Sequence, residues 1–262
     1  MQQAIIVLIG AVAGIVTGLI GASGVMVVVP ALVILGYSTA DAIGASLFID
    51  MIASLVVAWT YYQSKNLNFK KSIWIAVGAI VGAQIGSLLS LSIPDVGLSG
   101  GFSVFLLVTA VIFWIRGVRT PFPSERKKHE KKGSFFVILL RDHLVISGLI
   151  LGLLVGIMSG VLGAGGGVMI LLILVFLLQF SMHEGIGTST LIMAFTAGSG
   201  AIGHAASGNL PIVAAIWGSI GTLFGGRIAA RFANKIPEQV LSKVISGLFA
   251  ILAVVMFITN KN

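Results

Sequence analysis

The chain has 262 residues, 57% of them hydrophobic and only 9% charged, and its mean hydropathy is +1.10. A soluble globular domain carries about 25% charged residues, so this composition excludes one. The absence of cysteine excludes disulfides and thiolate metal centres, and the net charge of +8 sits mainly in loops, where membrane topology and anionic lipid explain it better than nucleic acid does.

Apolar segments follow one another in chain order at 4–21, 24–37, 41–62, 71–91 and 97–116, then at 136–162, 166–180, 184–206, 210–232 and 239–258. A span needs roughly 20 apolar residues, because the hydrocarbon layer is about 30 Å thick and a helix rises about 1.5 Å per residue. Several segments reach that length. No basic stretch precedes the first, so it reads as a retained membrane segment and not as a cleaved signal. Between the fifth and sixth lies 117–135, with Arg119, Arg126, Lys127, Lys128, Lys131 and Lys132. That density predicts a solvated linker on the cytoplasmic side. The expected organisation is a transmembrane repeat over 1–116, the linker over 117–135, and a second repeat over 136–262.

The two halves carry nearly the same text. The stretch 14–26 (GIVTGLIGASGVM) returns at 156–169 (GIMSGVLGAGGGVM) with one inserted glycine. Beyond it the offset settles at 143, pairing Gly44 with Gly187, Ser46 with Ser189, Asn66 with Asn209, Trp74 with Trp217, Gly78 with Gly221 and Gly82 with Gly225. Loop charges change sides between the copies. The loop with Lys65, Lys70 and Lys71 matches an uncharged loop at 207–209, and the Asp95 loop matches a basic one after Arg231 with Lys235. Equivalent loops therefore lie on opposite faces, and the expected fold is an all-α polytopic membrane protein of two inverted five-segment repeats. Five spans per half, or three spans and a re-entrant hairpin, both give the odd number of crossings; five is the preferred count.

Segments 24–37 and 166–180 are short and follow glycine-rich breaks. Glycine costs about 1 kcal/mol against alanine in a helix, so clustered glycines at membrane depth mark a planned stop. Irregular backbone is tolerated there only beside protein or a water-filled cavity. Each break is expected to leave free N–H groups at the next helix start, near Ser23, Gly24 and Val25 and near Gly165, Gly166 and Gly167. Together they would form a pocket of positive dipole for an anion. Close packing of helices through small residues competes with this reading, and it is preferred for the upstream glycines at four-residue spacing.

The doubled G-x-x-x-G-x-x-G-x-G/S-G element, the short segment after it, the pieces at 41–46 and 184–189, and Gly208-Asn209-Leu210-Pro211 resemble the sulfite exporter TauE/SafE family. The likeness covers almost the whole chain outside the linker. It implies a multi-pass permease of a prokaryotic plasma membrane that carries sulfite, sulfoacetate or another small anion, with membrane lipid around it. It implies no enzyme, no cofactor and no nucleic-acid partner.

The hydroxyls of Ser46, Thr188, Ser189 and Thr190 could orient an oxyanion, or could simply cap helices and bond back to their own carbonyls. Asp41 and Glu184 suit helix N-termini. Asp50 lies deep in its span, where an acidic group is expensive and functional by default, as a proton carrier or cation ligand. Its repeat partner is Met193. His204 is the second proton candidate, or an interfacial histidine; sodium coupling stays open. Gln84 and Arg227 occupy equivalent positions and could line an anion path, with Arg227 otherwise snorkelling to the interface. Trp74 and Trp217 read as interfacial anchors. No nucleotide-binding loop G-x-x-x-x-G-K-[ST] and no H-E-x-x-H zinc motif is present, so neither ATP chemistry nor a metal centre is expected. An anion channel and a non-transporting membrane scaffold remain the alternatives to a transporter.

Overall fold

The structure is a computed structural model that describes residues 2–68, 73–90, 111, 144–162, 166–178 and 180–259. The expected linker at 117–135 lies outside them, as does segment 97–116 apart from residue 111. The described elements are helices: α1 (Gln2–Ile20), α2 (Val25–Ile34), α3 (Thr39–Gln63), α4 (Ile73–Ser90), α5 (Leu144–Leu162), α6 (Gly167–Leu172) running into a π-helical turn (Ile173–Leu177), α7 (Met182–Ala206), α8 (Ile212–Ala233) and α9 (Glu238–Thr259). By length and composition α1, α3, α7 and α8 can each cross a membrane. At ten residues α2 rises about 15 Å, roughly half the hydrocarbon layer, so it is a half-helix and not the full span preferred from the sequence.

The chain divides into two units. The first holds residues 1–91 and 145–235; the second holds 92–144 and 236–262, and within it α9 is described. In the first unit, caps show why helices start where they do. Ser38 Oγ accepts from the Asp41 backbone N–H at 3.1 Å, and Ser181 Oγ accepts from that of Glu184 at 3.1 Å, with the Glu184 carboxylate accepting from the Ser181 N–H at 3.3 Å. Asp41 and Glu184 therefore belong to matched N-caps, which fixes α3 and α7 in equivalent register.

The glycines decide which helices meet. A Cβ on Gly14 would lie 2.7 Å from the Gly226 nitrogen and 2.9 Å from Thr222 Cα, and one on Gly18 would lie 2.7 Å from the Gly226 carbonyl. Helices α1 and α8 thus touch backbone to backbone along a parallel seam. Helices α4 and α5 do the same. A Cβ on Gly82 would meet Leu153, Ile157 and Gly156, while one on its partner Gly225 would meet Ala11. The seams use equivalent residues: Gly78 abuts Leu149, Gly152 and Leu153, and Gly221 abuts Val7, Gly10 and Ala11. Helix α1 is therefore paired with α8, and α4 with α5. The equivalent helices α3 and α7 run antiparallel, since Gly44 lies against Asn209 and His204 while Gly187 lies against Asn66 and Tyr61. The core formed by α1, α2, α3 and α8 buries Ile6, Val28, Leu32, Ile49 and Ala214, with Trp217 packed on it. Trp217 is thus a packing residue, whereas Trp74 at the start of α4 is 38% exposed.

Candidate functional site

The first break begins where α1 stops. Gly21 takes φ +67°, the left-handed conformation that glycine adopts without penalty, and its N–H still bonds to the Thr17 carbonyl at 2.9 Å. The Gly18 carbonyl, one of the last four that the helix cannot satisfy, accepts from the buried Tyr61 hydroxyl at 3.3 Å. Residues 21–24 separate α1 from the restart of the chain as α2. The Ser23 hydroxyl donates to Asp50 Oδ2 at 2.7 Å, the Gly24 N–H donates to Asp50 Oδ1 at 3.1 Å, and the Val25 N–H donates to Ser23 Oγ at 3.2 Å. The donors expected to be free are thus engaged, and the group that engages them is Asp50, which is 2% exposed. A carboxylate held by a backbone N–H, a hydroxyl and the positive end of α2 is a favourable arrangement for an anion in a dry setting.

The second break meets the first. Gly166 has φ +64° and precedes α6; Gly165 lies outside the described residues. A Cβ on Gly167 would sit 2.7 Å from the Gly21 carbonyl and 3.2 Å from Ala22 Cα. The two breaks are therefore in contact. Met193 Sδ also borders Gly167, so the thioether stands at the second break where Asp50 stands at the first.

The hydroxyls are used locally. Ser46 Oγ donates to the Ile43 carbonyl at 2.8 Å, and its partner Ser189 donates to the Ile186 carbonyl at 3.0 Å and to that of Gly21 at 3.3 Å. Ser189 thereby ties α7 to the first break. Thr190 donates back to the carbonyls of Ile186 and Gly187, both at 2.9 Å. Thr188 Oγ1 accepts from the Asn68 N–H at 3.1 Å and so pins the loop after α3. For Ser46, Ser189 and Thr190 the carbonyl one turn back is within reach and takes the hydroxyl proton.

The remaining candidates are not gathered at the breaks. His204 packs beside Gly44 near the end of α7, and its Nδ1 is buried without a hydrogen-bond partner. Its repeat position is Tyr61, a pairing at the same offset of 143 as the glycines. Gln84 Nε2 bonds to Ser199 on α7, whereas Arg227 is exposed on α8. The structure adds Ser54, whose Oγ is buried and without a partner, and the Asn66–Asn234 bond of 2.7 Å. Ser54 follows Asp50 by one helical turn, which was the available signal for it.

Several relatives match nearly the whole chain. A protein-family model described as Sulfite exporter TauE/SafE matches residues 6–256. The chain is 24% identical over 258 residues to the Probable membrane transporter protein YunE of Bacillus subtilis, covering 94% of this chain and 93% of that one. It is 28% identical over 242 residues to the Probable membrane transporter protein YdhB of the same organism, covering 92% and 94%. A probable membrane transporter protein of Methanocaldococcus jannaschii is 23% identical over 270 residues, covering 97% and 95%. The likeness is thus not confined to one half. No solved structure matches the chain significantly. With helices long and apolar enough to cross a bilayer and a family match over nearly every residue, this integral membrane protein belongs to the sulfite exporter TauE/SafE family, a family of membrane transporters and not of enzymes.

Proposed function

We propose that the protein carries a small anion, sulfite or an organosulfonate such as sulfoacetate, across the cell membrane by alternating access between two inverted repeats. The observation that carries this reading is the meeting of the two glycine breaks, with Gly167 against Gly21 and Ala22. Broken helices whose ends converge between repeats are how many secondary transporters build a substrate site. The antiparallel course of α3 and α7 supports the inversion, and in this reading the α1–α8 and α4–α5 pairs move against each other about the breaks. The donors at Ser23, Gly24 and Val25 and at Gly165, Gly166 and Gly167 form the anion site, flanked by Ser46, Thr188, Ser189 and Thr190. Asp50 carries the coupling proton, and His204, with its unpartnered Nδ1, offers a second proton position. Gln84 and Arg227, equivalent positions at the offset of 143, line the path of the anion in this reading.

Counterflow in proteoliposomes tests this, using sulfite, thiosulfate, sulfoacetate, sulfate and carboxylates. Saturable exchange of one class is the expected result. Single-channel currents in a planar bilayer would reassign the protein as a channel, and absence of any anion flux under any gradient would reassign it as a scaffold.

A further inference from the structure

We infer that the Asp50 carboxylate is a resident anion in the transporter's own substrate site, so that a substrate anion enters only when Asp50 takes up a proton and releases the donors of Ser23 and Gly24. This rests on the transport reading above and specifies how the site is regulated.

Four observations converge on it. First, the carboxylate occupies the position an anionic substrate would need: Oδ1 on the Gly24 N–H at 3.1 Å and Oδ2 on the Ser23 hydroxyl at 2.7 Å. Two anions cannot share those donors in a medium that screens charge poorly. Second, the architecture does not require a carboxylate there, because the equivalent helix α7 carries Met193 at the second break. A buried acid that the fold can replace by a thioether is retained for something other than packing. Third, Ser54 Oγ is fully buried and makes no hydrogen bond. It lies one turn after Asp50 on the same face of α3. It is a spare partner for the carboxyl once that group leaves α2, or for the incoming anion. Fourth, among the described residues no other charged side chain stands at the break. Helices α1 and α2 carry no ionisable side chain. On α3, Asp41 and Tyr61 lie about 14 and 16 Å along the axis from Asp50, with Tyr62 next to Tyr61. On α7, His204 lies beside Gly44, about 9 Å away along α3, and His183 and Glu184 start the helix beyond Gly187, at the level of Tyr61. On α8, Arg227 follows Gly226, which packs on Val57, about 10 Å along α3, and Arg231 lies a turn further.

The sign follows from competition. Lowering the pH converts the carboxylate to a neutral carboxyl, which holds the two donors weakly, so anion binding tightens. Over the range in which the empty protein holds Asp50 ionised, the affinity improves about tenfold per pH unit, the slope of one linked proton.

The test uses the purified full chain in detergent and methanesulfonate or isethionate, whose charge is constant between about pH 5 and 8, with binding followed by calorimetry. The wild-type protein is expected to bind tighter as the pH falls and to take up close to one proton per anion bound in weakly buffered solution. Asp50→Asn, which keeps an acceptor for Ser23 and Gly24 but no charge, is expected to bind with a pH-independent affinity equal to the wild-type low-pH limit. Ser23→Ala removes a donor from both the Asp50 carboxylate and the substrate, so it is expected to weaken binding at least tenfold at the low-pH limit, where Asp50 is neutral in both proteins. Wild-type binding without proton uptake overturns the inference by itself, whether or not the variants fold. An Asp50→Asn protein with the wild-type pH profile overturns it as well. If neither protein binds any anion of the counterflow panel, the transport reading falls together with this one.

Discussion

The parallel seam between α1 and α8 makes a prediction in which one substitution changes sign with its place. Gly14→Ala adds a methyl group 2.7 Å from the Gly226 nitrogen and 2.9 Å from the Thr222 Cα and carbonyl oxygen. Ordinary contact begins near 3.4 Å, and the obstacle is backbone, so the helices must separate by roughly half an ångström or more. Overpacking of this kind costs about 1–3 kcal/mol, which exceeds the gain of about 1 kcal/mol from replacing glycine by alanine inside a helix. At Gly203 on α7 an added Cβ meets nothing within 4 Å, so only the helix gain of about 1 kcal/mol remains. Thermal midpoints of the solubilised protein, read by fluorescence-detected size-exclusion chromatography after heating, should therefore fall for Gly14→Ala and hold or rise for Gly203→Ala. Gly156→Ala, the equivalent change on α5, should fall with the first, because its Cβ would lie 2.8 Å from the Ala83 nitrogen. A Gly14→Ala midpoint at or above that of the wild type would refute the backbone-contact seam.

Tyr61→Phe removes the hydroxyl that bonds the Gly18 carbonyl and should lower the thermal midpoint by the equivalent of about 1 kcal/mol. An unchanged midpoint would mean that this carbonyl is satisfied another way. Gly166→Ala forces a side chain into φ +64° and should cost about 1 kcal/mol or more, measured in the same assay; a stabilised variant would contradict the left-handed start of α6. Asn66 and Asn234 share a 2.7 Å bond, so alanine variants of each, taken singly and together, should show a coupling of about 0.5–1.5 kcal/mol in a double-mutant cycle; additive effects would remove the bond from the account.

Much of this was legible in the chain itself. The offset of 143 that pairs Gly78 with Gly221 and Gly82 with Gly225 reappears in space as two seams with equivalent neighbours, because glycine spacing states directly where backbones approach. The starts of α3 and α7 were marked by Asp41 and Glu184, and the structure adds Ser38 and Ser181 as their cap partners. The half-length of α2 was not settled by the pattern, since an apolar residue reads alike in a half-helix and a span. The occupant of the first break was hidden for a different reason. Asp50 meets Ser23 and Gly24 across a long sequence separation, and its repeat partner Met193 offers no echo of the interaction. Hydroxyls were ambiguous at Thr188 and Ser189 because the same side chain can bond a substrate, a loop or its own helix, and only coordinates choose between them.

The exchange of partners between repeats also constrains how the molecule is made. Helix α1 has its glycine seam completed by α8, whose contacts begin near Gly218. At a synthesis rate of about 5–20 residues per second, α1 waits on the order of 10–40 s before that helix exists. During this interval its small-residue stripe is covered by lipid or by an insertion factor, and any α8 of another molecule presents the same surface. Two chains emerging side by side therefore have the surfaces to trade α8, and the newborn protein's first hazard is a neighbour of its own kind.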